Sequence, residues 1–396
     1  MRVTMIVLNN MAHDARVRKQ ARTLANAGHQ VTVLALKDDS VPATECIDGF
    51  EIMRIGLASR PWGLGAIARL IKLVEYLLRC SLVALQTNAQ VYHAHDANTL
   101  PIGWLAARLR RAALVYDSHE FERGRNWGAS NLPALFRRLW VLPEQLFIRS
   151  ADLVITVSTS IAEQLRQIYR IQRPLVILNC PEYHRPATSD RLRQDLAIGH
   201  DQKIVVYQGA VSANRGIEPL IEGAMLLPDI VVVVIGDGPQ LPSLQRWVEQ
   251  RGWQSRVYFT GYVSLEQLSS YTASADVGAA LFQNVGLSHF FSLPNKLFEY
   301  LQAGLPVIVS NFPEMRSVVE QSGAGVSVSP TSPAEIAQGL QSILDDPARR
   351  AQLSAHAYQA GKVYQWANEA EKLLDAYDHL AHGLGPSAEP KTTDGR

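Results

Sequence analysis

Three cysteines in 396 residues, Cys46, Cys80 and Cys180, stand far apart and in no CxxC or Cys/His spacing. That argues against a disulfide framework or a zinc site and fits a reducing compartment. An excess of one charge is also missing: Lys and Arg number 38 against 37 Asp and Glu. Nothing global therefore draws the chain to nucleic acid or a bilayer, and any such contact needs a local patch. Long apolar runs are scarce as well. Met1 to Leu8 is short for a signal peptide and runs into polar Asn9-Asn10 without a small-residue cleavage site, so it reads as a first buried strand. No stretch supplies the ~18 uncharged apolar residues of a membrane span. The nearest, Leu64 to Gln86, carries Arg69, Lys72, Glu75 and Arg79 every three to four residues, the mark of an amphipathic helix with one polar stripe. A cytoplasmic protein is expected.

What is present is an alternation of strand-like and helical patterns. Uninterrupted Val/Ile/Leu runs predict strands at Val3–Leu8, Val31–Leu36, Val91–His93, Leu114–Tyr116, Leu153–Val157 and Leu175–Leu178. A helix near Ala15–Ala27 ends at Gly28, a C-cap glycine. After a Pro-containing stretch from Pro181 to about His200, a second series begins: Ile204–Tyr207, Ile230–Ile235, Val257–Phe259, Val277–Leu281, Val307–Val309 and Gly325–Val328. The fold class is α/β, two doubly wound, Rossmann-like domains with parallel sheets covered on both faces. The expected divisions are residues 1–185, residues 186–362, a C-terminal helix over 363–383 packing back on the first domain, and a disordered tail over 384–396.

Ligands of open parallel sheets bind outside the carboxyl ends of the strands. Polar residues collect there. Asn9 to Arg16 follow the first strand, and His93, His95 and Asp96 follow another. Asp117, Ser118, His119 and Glu120 follow Leu114–Tyr116, Gly209 to Gly216 open the second series, and Gly236-Asp237-Gly238-Pro239 follow Ile230–Ile235. Two such sheets make a cleft suited to two substrates.

The segment from Ser292 to Ile308, SLPNKLFEYLQAGLPVI, resembles the donor-binding signature of glycosyltransferase family 4 (glycosyl transferases group 1), of the GT-B fold. Tyr207-Gln208-Gly209 with Arg215-Gly216, Gly236–Pro239, Phe259-Thr260-Gly261-Tyr262, Tyr92–Asp96 and Val115–Glu120 extend the resemblance over nearly the whole chain. It implies two facing Rossmann-like domains with a cleft between them. It also implies retaining transfer of a sugar from a nucleoside-diphosphate sugar to a saccharide or lipid-linked acceptor, in polysaccharide or glycolipid synthesis, without a metal or other cofactor.

The resemblance gives Glu299 the donor ribose hydroxyls; a carboxylate between Phe298 and Tyr300 in an apolar helix is costly unless it faces a cleft. Asn295, Lys296 and Leu297 open that helix, whose N–H groups and dipole suit a diphosphate. Arg215, with the fork geometry that fits phosphate, and Lys296 stand where a divalent cation would otherwise serve, and no DxD pair ends a strand. Gly209 and Gly236 allow close backbone approach of the nucleotide. The resemblance puts His119 beside the transferred sugar, catalytic with Arg215 and Lys296 by orienting the reactants and stabilising charge. Asp14, Arg16, His95, Asp96 and His289 are candidates for acceptor or sugar contacts. For Asp14 the alternative is an N-cap, and for His95 and Asp96 bracing of the loop that carries His119.

Two departures stand out. Ala210 occupies a position where the family often has arginine, and Phe291 stands eight residues before Glu299 where many members have a second glutamate. A non-catalytic nucleotide-sugar-binding protein of the same fold, or a GT-B epimerase, is the alternative reading. Basic segments Leu64–Gln86 and Leu132–Arg149, with Trp62, Trp127 and Trp140 nearby, suggest peripheral contact with the inner membrane surface.

Overall fold

The computed structural model describes residues 1–63, 65–126, 134–187 and 189–383. The expected tail over 384–396, together with Leu64, Trp127 and Leu132, lies outside the described residues. The chain divides into two units. Unit 1 comprises Met1–Arg123, Trp127–Leu178 and Glu369–Arg396; unit 2 comprises Gly124–Asn126 and Asn179–Asn368.

Unit 1 holds strands β1 (Arg2–Ile6), β2 (Gln30–Leu36), β3 (Thr44–Ile47), β4 (Phe50–Ile55), β5 (Val91–His95), β6 (Ala113–Ser118), β7 (Leu153–Thr156) and β8 (Leu175–Val176). Its helices are α1 (Ala15–Asn26), α2 (Ala66–Gln86), α3 (Leu100–Arg110), α4 (Ala134–Phe147) and α5 (Thr159–Tyr169). The strands form one sheet, β3-β4-β2-β1-β5-β6-β7-β8, parallel throughout except for the β3–β4 pair. That hairpin was not foreseen. Its turn is Asp48-Gly49, with φ of 51° and 83°, the positive pair required by a two-residue hairpin turn.

Unit 2 opens with α6 (Arg191–Leu196) and continues with β9 (Lys203–Gln208), α7 (Ile217–Met225), β10 (Ile230–Ile235), α8 (Leu241–Gln250), β11 (Val257–Gly261), α9 (Leu265–Thr272) and β12 (Val277–Ala280). Then come α10 (Leu287–Phe290), α11 (Asn295–Gln302), β13 (Val307–Ser310), α12 (Pro313–Ser322), β14 (Gly325–Val328), α13 (Pro333–Leu344) and α14 (Pro347–Val363). Its sheet, β11-β10-β9-β12-β13-β14, is wholly parallel. Every residue of β10 is buried, as expected of a strand covered on both faces.

The final helix, α15 (Trp366–Ala381), starts later than the expected one. The chain leaves helical geometry at Tyr364, and the Asn368 side chain caps the end of α14 by donating to the Lys362 and Val363 carbonyls at 3.2 and 2.7 Å. Beyond Glu369, α15 belongs to unit 1, where Glu369 accepts the Leu178 N–H at 2.8 Å.

Each sheet reverses its strand order beside its first strand, at β1/β5 and at β9/β12. Such switch points open a crevice at the carboxyl ends of the strands. Of the non-glycine residues with positive φ, Met11, Asp96 and Asn214 lie in the loops after β1, β5 and β9. Strained backbone of this kind collects at ligand sites.

Candidate active site

In unit 2 the crevice is cationic. Arg215 is delivered by the loop after β9 and precedes Gly216, which caps α7 with φ 70°. A Cβ at Gly216 would lie 1.8 Å from the Leu281 carbonyl oxygen, so only glycine lets α7 start this close to the end of β12. Lys296 enters from the first turn of α11. It is buried, and its Nζ sits 3.5 Å from the centre of the Tyr207 ring and 5.7 Å from that of Phe282. The Arg215 guanidinium lies 4.6 Å from the same Phe282 ring and takes a 3.3 Å hydrogen bond to Ser212 Oγ. Among the described residues neither cation has a carboxylate partner within ion-pair distance. Desolvation, and then the charge of Arg215, hold the Lys296 ammonium well below the usual lysine range, with Glu299 opposing. Two cations brought together without counter-ions form a receptor for an anion.

Glu299 lies one turn along α11 from Lys296. Its carboxylate accepts from the Gln208 amide, whose own oxygen accepts from Thr272 Oγ1 at 2.8 Å. Gly236 ends β10 with φ 137°, and a Cβ there would come 2.0 Å from the Gly209 carbonyl oxygen. The two glycines thus bring bare backbone to the end of the sheet, and a Cβ at Gly209 would meet Lys296 Nζ at 3.4 Å. His289 packs edge-on against Phe282 at 6.2 Å, and Phe290 contacts Phe291 and Phe312.

In unit 1 the crevice holds a buried network. Arg16 donates to both oxygens of Asp117, at 2.8 and 3.0 Å, and to the Ile177 carbonyl at 2.9 Å. Gln20 adds a third bond to Asp117 at 2.8 Å. His119 Nε2 lies 3.3 Å from Asp117 and 3.2 Å from His95 Nδ1, while its Nδ1 lies 3.5 Å from Asp96. Asp96 also accepts the His119 N–H at 3.1 Å. Desolvation alone would lower the His119 pKa; Asp96 and then Asp117 outweigh it and raise the imidazole to about 9. Burial opposes the charge of Asp117, but Arg16 and then His119 hold its carboxyl well below the usual range. Desolvation keeps His93 and His95 neutral-favouring. His119 is therefore a charged donor at neutral pH.

His93, His95 and Asp117 also present ligand atoms within 4.8 Å of one another. Both Asp117 oxygens are already bound by the Arg16 guanidinium, and His93 Nδ1 is hydrogen-bonded to Tyr377 at 2.8 Å. The donor set is built as an ion-pair network and fits a metal poorly.

Residues 13–180 match the family model of the glycosyl transferase 4-like domain, and residues 188–360 match that of glycosyl transferases group 1. The chain belongs to the glycosyltransferases. It is 28% identical over 304 residues to the D-inositol 3-phosphate glycosyltransferase of Xylanimonas cellulosilytica, covering 72% of this chain and 71% of that one. Its fold is similar to that of sucrose-phosphate synthase from Thermosynechococcus elongatus, with a TM-score of 0.81 at 21% identity, covering 97% of this chain and 100% of the other. It is also similar to Anabaena HepE in complex with UDP-glucose, with a TM-score of 0.72 at 17% identity, covering 96% and 99%. The fold is GT-B.

In this glycosyltransferase the sequence-derived residues fall into two groups. Unit 2 brings together Gly209, Arg215, Gly236, Lys296 and Glu299, with Asn295 opening α11 and His289 against Phe282. Leu297 does not join them: its side chain is fully buried and its N–H bonds to the Pro294 carbonyl at 3.0 Å. Unit 1 brings together His95, Asp96 and His119. Arg16 is a correction. It does not face solvent as an anion contact, because it is buried and held by Asp117 and the Ile177 carbonyl. Asp14 caps α1, accepting the Val17 N–H at 3.1 Å. Reading the sequence left Gln20, Tyr207, Gln208, Phe282 and Tyr377 without roles. Tyr207 and Gln208 had a signal, their place beside Gly209 in the motif; Gln20, Phe282 and Tyr377 meet their partners only in the folded chain.

Proposed function

We propose that this glycosyltransferase moves a sugar from a nucleoside-diphosphate sugar held by unit 2 to a saccharide or lipid-linked acceptor held by unit 1, in polysaccharide or glycolipid synthesis, with retention and without a metal. The carrying observation is the pair Arg215, before α7, and Lys296, in the first turn of α11, both beside Phe282 and without carboxylate partners among the described residues. A diphosphate supplies the missing charge, and its departure is stabilised by the same groups. Glu299, fixed by Gln208, accepts from the ribose hydroxyls. Gly209 and Gly236 let the nucleotide approach the backbone. His119, held charged by Asp96 and Asp117, donates to a sugar hydroxyl and orients it. The UDP-glucose bound by the Anabaena protein supports a UDP-sugar as donor.

The acceptor side works at the cytoplasmic face of the membrane in this reading. Among the described residues no helix is long and apolar enough to cross a membrane. However, α2 leaves Ile67, Leu78 and Leu82 more than half exposed, an apolar face suited to a peripheral contact.

The test is nucleotide release from UDP- and GDP-sugars with a panel of free and lipid-linked acceptors. Acceptor-dependent release that survives EDTA is expected. Strong EDTA inhibition contradicts the metal-free mechanism. Nucleotide-sugar binding without any release favours a non-catalytic protein, and an isomerised donor favours an epimerase.

A further inference from the structure

One cavity in unit 1 has no part in the chemistry above. It measures about 640 Å³, within the ~300–1,000 Å³ common for small-molecule sites. Leu8 follows β1, Leu36 ends β2 and Leu57 follows β4; these meet Leu73 and Leu77 of α2 to make its wall. The cavity thus lies at the carboxyl edge of the sheet. Asn98, two residues beyond the Asp96 that holds His119, also lines it.

The interior is mostly apolar, led by leucine with Tyr76 and Trp140, which is poor for a saccharide, whose hydroxyls would lose water without finding partners. It suits a hydrocarbon chain. The polar groups around it are mainly basic: Lys37, Arg60, Arg69 and Lys72 against one acid, Asp38, which is already occupied by Asn10 and Ser40. Arg60 pairs at the surface with Asp39, at 3.1 Å, and Lys72 donates to the Trp62 carbonyl at 2.6 Å. Arg69 has no ion pair among the described residues. The opposite face of α2 carries a separate exposed apolar stripe, Ile67, Ile71, Val74, Leu78 and Leu82 at helical spacing.

We infer that this cavity takes the hydrocarbon chain of an anionic lipid-linked acceptor, with Arg69 and Lys72 meeting its phosphate. The inference rests on the acceptor reading above and narrows it to one class. Charge complementarity and leucine lining together select a phosphorylated lipid over a neutral amphiphile or a free sugar.

The experiment is calorimetric titration of the full-length protein with dodecyl phosphate below its micelle concentration, with neutral dodecyl maltoside and inorganic phosphate in parallel. Dodecyl phosphate is expected to bind at one site at least about tenfold more tightly than dodecyl maltoside, and inorganic phosphate not measurably. Leu73→Trp, which fills the cavity, is expected to weaken binding by at least about tenfold. Should that variant fail to fold, Arg69→Gln with Lys72→Gln decides, because loss of charge there must erase the preference for the phosphate. Equal binding of the neutral amphiphile, no saturable binding, or unchanged binding by folded Leu73→Trp overturns the inference. UDP is titrated into the same samples. Retained UDP binding with failure of the lipid arms removes the cavity alone, whereas loss of both removes the donor reading too.

Discussion

The Lys296 ammonium stands 3.5 Å from the centre of the Tyr207 ring, and among the described residues no carboxylate lies within ion-pair distance of it. Desolvation and Arg215 disfavour its charge, and a bound diphosphate would restore it. Raising a depressed lysine pKa on binding takes up a proton. UDP binding is therefore expected to consume protons at pH values between the lysine pKa of the free protein and that of the complex, and affinity to fall as pH rises through that range. Calorimetry in two buffers of different ionisation heat measures the uptake; Lys296→Met should abolish it.

Arg16 and Asp117 form a buried bidentate ion pair across 101 residues of sequence. Removing Arg16 leaves buried Asp117 with His119 and Gln20 but no guanidinium, and removing Asp117 leaves buried Arg16 without a carboxylate; breaking such a pair costs up to about 3–5 kcal/mol. Arg16→Met should show this loss in urea unfolding followed by a signal from unit 1. The Arg16→Met, Asp117→Asn double variant should recover much of it. Equal damage in single and double variants would mean that the pair is not the source.

The folded-state pKa of His119, about 9, lies above the value near 6.5 of an unperturbed histidine. Folding therefore favours the charged form. The stability it contributes is full below about pH 6.5 and is lost as pH rises through about 9. Asp96→Asn should lower the His119 pKa, read from its ring-proton NMR titration, and flatten the dependence of melting temperature on pH between 7 and 10.

Gly216 and Gly252 have the same φ of 70°, but a Cβ at Gly252 meets nothing within 4 Å. Gly252→Ala should cost only the left-handed backbone penalty, about 1–2 kcal/mol. Gly216→Ala must also displace the Leu281 carbonyl, and with it the loop that carries Arg215. It should cost more and also raise KM for the donor. Matching effects of the two substitutions would show that the close approach is unimportant.

Strands covered on both faces were legible because continuous apolar runs encode them; all six residues of β10 stand where the run places them. The hairpin of β3 and β4 was not, although Asp48-Gly49 marks its turn. β3 is an edge strand whose Thr44 and Cys46 stay exposed, so no apolar run announces it. Helix α14 was missed because its buried positions are Ala357, Ala360 and Gly361, which leave no hydrophobic stripe. In the candidate site, local motifs marked Arg215, Lys296 and Glu299, whose setting is a loop or one helix turn. The partners of Asp117 and Glu299 were not legible. Arg16 is 101 residues away from the first and Gln208 is 91 from the second, and only the folded sheets bring them together.

The most direct test of the cationic cradle is equilibrium binding of UDP in the presence of EDTA to the wild type and to Arg215→Ala. A charge-assisted bond to phosphate contributes about 1.5–3 kcal/mol. Metal-free binding to the wild type should therefore weaken by roughly 10- to 100-fold in the variant. Binding that requires a divalent ion, or that is unchanged by Arg215→Ala, would contradict the account.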